Sequence, residues 1–350
     1  MEFFAASLLG VLFGAQAFLP VGGESHSQEI EEKKLAILGL NKAANFHETY
    51  GEHVYIFGGR TRMGEQVMRF DARTGRLSKV GPLSAETSGA VGGQLGDTVL
   101  LLGGSRDVTP RLYHRGSFRP AVEPFRHARA LLEHPEDKMA AVVGRSLYVC
   151  GGSNRRRSYK HKLTDSCFAY SFDQQKWRAV PAMPVKRSAG AAVGVDSRYL
   201  YVFGGKTPQP GGKSGLDASM YRLDTTALSS GWQKMASLPS ARSELSAIEI
   251  SSRGAGGHGI LACGGYYQSY YKDYYESNKC FVYAPESARW SDGPPMQRAR
   301  TAAGLVECGG RIFAVSGYNT NGVETLGAFG WRVVDALKRY RNSKSAFSCL

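Results

Sequence analysis

The sequence predicts an all-β chain built from six copies of one strand-rich unit, and three observations carry that expectation. First, apolar runs end in a Gly-Gly doublet at YIFGG (Gly58, Gly59), LLLGG (Gly103, Gly104), YVCGG (Gly151, Gly152), YVFGG (Gly204, Gly205) and LACGG (Gly264, Gly265), with a degenerate sixth at FAVSG (Ser316, Gly317). Second, the doublets recur at intervals of 45, 48, 53, 60 and 52 residues. Third, Trp177, Trp232, Trp290 and Trp331 are each followed by Met or Leu six residues on and by Arg ten residues on (Arg187, Arg242, Arg300, Arg341). A constant pattern with variable spacers is the mark of a repeat architecture.

The pattern is sharpest between two stretches, Cys150 to Arg187 and Cys263 to Arg300. In each, a second Cys follows the first by 17 residues and a Tyr (Tyr170, Tyr283) comes three later, while the spacer between doublet and second Cys shares almost nothing. The first copy carries Leu77, Leu83 and Thr87 at the Trp, +6 and +10 positions. The second is blurred, with Phe118 in the Trp position and Arg129 one place late. The runs before the doublets are β-branched and aromatic and stop at glycine, as buried strands do.

Together these features resemble the kelch repeat, a unit of roughly 50 residues that forms one propeller blade. The resemblance covers about residues 35–341. It implies a six-bladed kelch-type β-propeller, mostly four strands per blade, with little exposed edge. On that reading the doublet strand is innermost, and its glycines let it crowd the central channel. The Trp packs between blades, and the Arg ties its own loop to backbone carbonyls.

At the N-terminus, residues 1–23 read as a hydrophobic leader. Ala15-Gln16-Ala17 offers a small-x-small cleavage pattern for a secretory signal peptide. Glu2 in the n-region and the lack of any Asn-x-Ser/Thr sequon argue against it. A membrane anchor is a further reading, although the run is short for a span, and a misassigned start codon is another. Secretion, or residence in the secretory pathway, is the localisation expected, with the cytoplasm as the alternative. Residues 24–34 form a polar linker and 342–350 a tail. About 35 residues precede the repeats, so no adaptor domain of the ubiquitin-ligase type is expected. Leu38 and Lys42 match Met296 and Arg300 in offset to the next doublet. The expectation is therefore that Ala43 to Tyr50 forms the outer strand of the sixth blade and closes the ring.

Copies three, four and five are enlarged just after the doublet. Their inserts read SNRRRSYKHKLTD, KTPQPGGKSGLD and YYQSYYKDYYESN: basic, flexible and tyrosine-rich in turn. Loops on a rigid scaffold are where recognition residues concentrate. In kelch domains that capture acidic peptides, the residues just past each doublet line the channel mouth. The resemblance thus implies partner-binding residues Arg60, Arg62, Arg106, Asn154, Arg155, Lys206, Tyr266, Tyr267, Tyr318 and Asn319. Such a basic and aromatic set suits an acidic or phosphorylated protein segment. Those peptide binders often carry a second Arg two places after the first, where this chain has Ala189, Glu244 and Ala302.

Of the six cysteines, Cys150 pairs in pattern with Cys167, and Cys263 with Cys280; each copy has both or neither. A disulfide between adjacent strands of one blade explains this coupling. So does the descent of one blade from the other, with two small buried thiols. Cys308 and Cys349 have no evident partner, and the spacing does not suit a metal.

The net charge is +14, from 44 basic and 30 acidic residues. Such an excess attracts acidic partners. No P-loop or RNA-binding signature appears, so nucleic acid is not expected. The eight histidines lack triad context, and no copper site of the galactose-oxidase type or sialidase Asp box is visible. The function expected is therefore a monomeric, non-enzymatic protein-interaction module, without cofactor. The alternative is a carbohydrate-active propeller such as a secreted sialic acid mutarotase or epimerase.

Overall fold

The computed structural model describes residues 47–50, 53–57, 66–82, 90–95, 98–102, 111–114, 117–120, 133–134, 136–154, 162–250, 259–268, 273–308, 311–315, 317, 323–327 and 330–334. They form six antiparallel sheets arranged as the blades of a propeller. Blade one comprises His47–Tyr50, His53–Phe57, Gln66–Asp71 and Leu77–Pro82. Blade two comprises Val91–Leu95, Thr98–Leu102, Arg111–His114 and Ser117–Pro120. Blade three comprises Met139–Val143, Ser146–Cys150, Cys167–Ser171 and Lys176–Val180. Blade four is Ala191–Val195, Tyr199–Phe203, Met220–Asp224 and Trp232–Met235. Blade five is Ser243–Ile250, Gly259–Gln268, Cys280–Ala284 and Arg289–Gly293. Blade six is Gly304–Cys308, Arg311–Val315, Val323–Gly327 and Gly330–Val334.

Sequence pattern and strand position agree. The second strand of blade four, YLYVF, is buried in four consecutive residues, because blades cover it on both faces. The fourth strand of blade three, KWRAV, buries only Trp177 and Val180, as an outer strand should.

Six apolar clusters fill the molecule, one between each pair of neighbouring blades. The cluster between blades six and one closes the ring. It sets Phe70 edge-on to Phe313 at 5.9 Å between centroids and joins Val54 and Ile56 to Val306 and Val315. Arg311 adds a hydrogen bond to the Ala72 carbonyl, 239 residues away in sequence.

Two sequence expectations need correction. The doublet strand is the second of each blade, not the innermost. The first strands of blades two, three, four, five, six and one neighbour one another in that order around the axis. They enclose a cavity of about 80 Å3, walled by small side chains such as Ala140, Ala192 and Ala247. The doublet glycines have another purpose. Gly264 has φ +73°, and a Cβ there would lie 2.4 Å from the Arg300 carbonyl oxygen. That carbonyl instead accepts from the N–H of Gly265 at 2.8 Å. The glycines admit the incoming loop, not the channel wall.

The N-terminal strand is the second correction. His47–Tyr50 pairs with His53–Phe57 and is the first strand of blade one. Blade six draws all four strands from its own stretch, Trp331 lying in its last. The offset matched between Arg300 and Lys42 was sound, but the strand after that Arg opens the next blade. A unit read from doublet to Arg straddles a blade boundary. Residues 43–46 of the expected strand, the leader, the linker and the C-terminal tail lie outside the described residues. Among those described, no helix is long and apolar enough to cross a membrane.

Candidate partner-binding face

In blades three, four and five the doublet follows or lies within the second strand at the same level, so the enlarged spacers leave the same face of the ring. Three of them fold into extra hairpins. Ser153–Asn154 pairs with Lys162–Leu163 on blade three, and Lys206–Pro208 pairs with Ser214–Leu216 on blade four. On blade five the second strand runs past Gly265 to Gln268 and pairs with Tyr274–Glu276.

The arginines after Trp177, Trp232 and Trp290 stitch neighbouring blades together on this face. The carbonyl of Arg187 accepts from Gly152 of blade three at 2.9 Å. Its guanidinium donates to the Gly204 carbonyl of blade four, to Ser219 Oγ at 2.6 Å, and pairs with Asp217 Oδ2 at 2.9 Å. Arg242 repeats the bridge between blades four and five, its Nη1 donating to the Gly264 carbonyl at 3.0 Å. Arg300 turns to Glu324 of blade six at 2.9 Å. Arg187 and Arg242 thus tie the next blade's doublet as well as their own loops.

The tryptophans work in the opposite direction. Nε1 of Trp232, Trp290 and Trp331 donates to the carbonyls of Pro181, Ala236 and Pro294, each at 2.9 Å in the preceding blade. Each acceptor lies four residues after its own blade's Trp.

Two residues after each of these arginines the chain enters the left-handed region at Ala189 (φ 53°), Glu244 (φ 55°) and Ala302 (φ 49°), and likewise at Asp137 (φ 55°). The strained conformation has a visible return. The N–H of Ala189 donates to the Asp137 carbonyl, that of Glu244 to Ala189, and that of Ala302 to Glu244, at 2.7, 2.8 and 2.8 Å. This chain of bonds runs around the channel mouth from blade three to blade six. A backbone conformation costing on the order of 1 kcal/mol per residue is held by these bonds.

Aromatic side chains gather at the junction of blades four and five. Lys206 Nζ lies 5.3 Å from the ring centroid of Tyr266, and Arg242 Cζ lies 6.0 Å from that of Tyr267. Tyr266 meets Tyr274 edge-on at 5.5 Å, and Tyr267 meets Tyr275 at 6.0 Å. Tyr267, Tyr274 and Tyr275 are 36, 57 and 50 % exposed, the exposed large hydrophobic side chains among the described residues. Close by, burial pushes the Glu276 carboxyl up, Glu244 adds to the shift, and a hydrogen bond with Thr301 opposes it. At the start of blade three, burial pushes the Lys138 ammonium down to about 7, against the pull of Asp137 and Glu136.

Of the residues implied by the resemblance, Asn154 pairs with Lys162, and Lys206, Tyr266 and Tyr267 come together as above. Arg60, Arg62, Arg106, Arg155, Tyr318 and Asn319 lie outside the described residues. Sequence reasoning passed over Tyr274 and Tyr275, although their insert was visibly tyrosine-rich. It also placed Arg242 with the scaffold.

Cys150 lies opposite Cys167 and Cys263 opposite Cys280 in the strand register. Both pairs are joined as disulfides, with Cα atoms 4.2 and 4.0 Å apart. The close separation is that of a non-hydrogen-bonded antiparallel pair, and each bridge clamps the base of an enlarged loop. In blade four Phe203 faces Met220 at this position. Cys308 is buried between blades six and one. Among the described residues, no group of three or more His, Cys, Asp or Glu side chains is arranged to hold a metal.

Comparison with known proteins agrees with this geometry. The Kelch motif family matches residues 140–184, which is blade three from its first strand to the loop after its fourth. The chain is a six-bladed β-propeller whose third blade matches the kelch motif. The chain is 26% identical over 195 residues to Kelch repeat and BTB domain-containing protein 12 of Homo sapiens, covering 51% of this chain and 29% of that protein. It is 24% identical over 178 residues to the Danio rerio protein of the same name, covering 47% and 26%. It is 26% identical over 176 residues to Alpha-scruin of Limulus polyphemus, covering 49% and 17%. The matched stretch thus spans under a third of each relative's length. The solved structure of YjhT superposes with a TM-score of 0.64 at 12% identity, covering 85% of this chain and 98% of that one. At that identity the likeness is one of fold.

Proposed function

We propose that this kelch propeller is a non-enzymatic protein-interaction module that binds its partner on the doublet face. The observation that carries the reading is the exposed tyrosine cluster over Lys206 and Arg242 on a rigid blade junction. Exposed aromatics beside cations are the residues that anchor protein interfaces. The partner class that fits is an acidic or phosphorylated segment, drawn by the +14 charge. Two cross-strand disulfides suit an oxidising compartment, and we place the protein in the secretory pathway as a monomer.

The sugar-epimerase alternative gains no support from the axial cavity. Its about 80 Å3, walled mainly by small and apolar residues with Ser246 among them, falls short of the roughly 300–1,000 Å3 of small-molecule sites. Co-purification tests the binding reading. Replacing Tyr267, Tyr274 and Tyr275 by Ala abolishes recovery of the partner, whereas Arg145→Ala on the opposite face leaves it intact. Equal recovery from both variants defeats the proposal. Acceleration of sialic acid mutarotation by the purified chain, followed by NMR, establishes the alternative instead.

A further inference from the structure

The three blade-bridging arginines differ in one respect. Arg187 meets Asp217 and Arg300 meets Glu324, but Arg242 meets no carboxylate among the described residues. Arg242 is 3 % exposed, its Nη1 donates to the Gly264 carbonyl, and its Nε, like that of Arg187, has no hydrogen-bond partner. The sequence cause is one substitution. In blade four, the N–H of Asp217 donates to the Gly205 carbonyl, and its side chain accepts from the N–H two residues on, that of Ser219. In blade five, Ser277 makes the same bonds, donating to the Gly265 carbonyl and accepting from the N–H of Lys279. Ser277 therefore stands where blade four has Asp217 and blade three has Thr164, and its side chain is too short and neutral to serve Arg242.

A buried cation without a counter-charge costs several kcal/mol. The Phe281 ring at 4.8 Å and the Tyr267 ring at 6.0 Å return only part of that by cation–π attraction. A deficit remains, and it lies beneath the exposed tyrosines. Glu276, on the blade-five hairpin, is hydrogen-bonded with Thr301.

We propose that Arg242 is an oxyanion socket that receives a carboxylate from an acidic partner segment, with Tyr267 packing against the inserted side chain. This rests on the partner-binding reading above and names the chemistry at its centre. The guanidinium offers a fork that two carboxylate oxygens can match. A phosphate group presents the same oxygens, so the test separates the two.

The test titrates the full chain with hexaglutamate, and separately with inorganic phosphate, at low ionic strength by calorimetry. Ser277→Asp rebuilds the Asp217 arrangement and fills the socket from within. The account expects it to raise the melting temperature by several degrees and to weaken hexaglutamate binding at least tenfold. Ser277→Asn and Gln175→Glu, the latter adding the same charge on the opposite face, bind as wild type does. Arg242→Lys, which keeps the charge and loses the fork, also weakens binding at least tenfold. This variant decides the matter if Ser277→Asp does not fold. Wild-type binding in either variant overturns the socket, as does a wild-type chain that ignores hexaglutamate. Saturable binding of phosphate but not hexaglutamate overturns the carboxylate assignment. Loss of the partner in the tyrosine variants with hexaglutamate binding intact separates the socket from the wider face. Hexaglutamate binding lost in Ser277→Asp with no partner found on this face supports the socket and defeats the partner reading.

Discussion

Arg187 leaves blade three and places its Nη2 2.9 Å from Asp217 Oδ2 in blade four, with the guanidinium almost wholly buried. This pair crosses a blade boundary that strand hydrogen bonds do not cross, so it shares with the apolar clusters the work of holding the ring. Removing one partner leaves the other buried and uncompensated. Asp217→Ala is expected to cost about 3 kcal/mol, read as a lower urea midpoint at unchanged slope. A loss within the noise of a surface substitution would mean that the arginine is carried by its carbonyl contact alone.

The indole bonds make a smaller, separable contribution. Trp290→Phe keeps the ring that packs at 5.1 Å on Tyr283 and removes the N–H donated to Ala236. The expected loss is about 1 kcal/mol, the net worth of one hydrogen bond. Thermal melts of the variant and wild type check it.

The disulfides act on two blades only. Each closes a spacer of 17 residues in sequence, a loop length for which cross-linking is worth about 3 kcal/mol. Reductant, or the paired substitution Cys263→Ala with Cys280→Ala, lowers the unfolding midpoint accordingly. Reducing both bridges raises the thiol titre of the unfolded chain by the four cysteines they engage.

Lys138 supplies the pH dependence. Burial holds its ammonium at about 7 in the folded state, below the ordinary value of 10.5 that it regains on unfolding. Between those values the unfolded chain holds the extra proton. Stability therefore rises with pH across the window, is complete near the unfolded value, and is smallest below the folded one. The slope is at most about 1.4 kcal/mol per pH unit. Lys138→Met flattens the difference, measured by denaturant titrations between pH 7 and 10.

Much of the fold was legible in the sequence because its constraints are local. The doublets record a close approach of Arg carbonyls that only glycine permits, and Trp and Arg record bonds to fixed backbone positions in neighbouring blades. Blade phase was not legible. The pattern from doublet to Arg repeats perfectly well whether the next strand closes one blade or opens another, and only strand pairing decides. That is why the sequence puts His47–Tyr50 in blade six, whereas it pairs within blade one. The Tyr266 and Tyr267 positions could be read from the spacer beside the doublet. Tyr274 and Tyr275 face them only because the insert forms a hairpin, and its register is not written in composition. Arg242 was hidden by its similarity to Arg187; the signal was Ser277 against Asp217, visible once the two third strands are aligned.

Site-specific photo-crosslinking tests the central claim most directly. A benzophenone amino acid is placed at Tyr275 on the doublet face, and in a second variant at Gln175 on the opposite face. The account predicts one discrete partner adduct from position 275, lost on adding Tyr267→Ala and Tyr274→Ala, and none from position 175. An adduct from position 175 alone, or one from position 275 that survives the tyrosine substitutions, contradicts it.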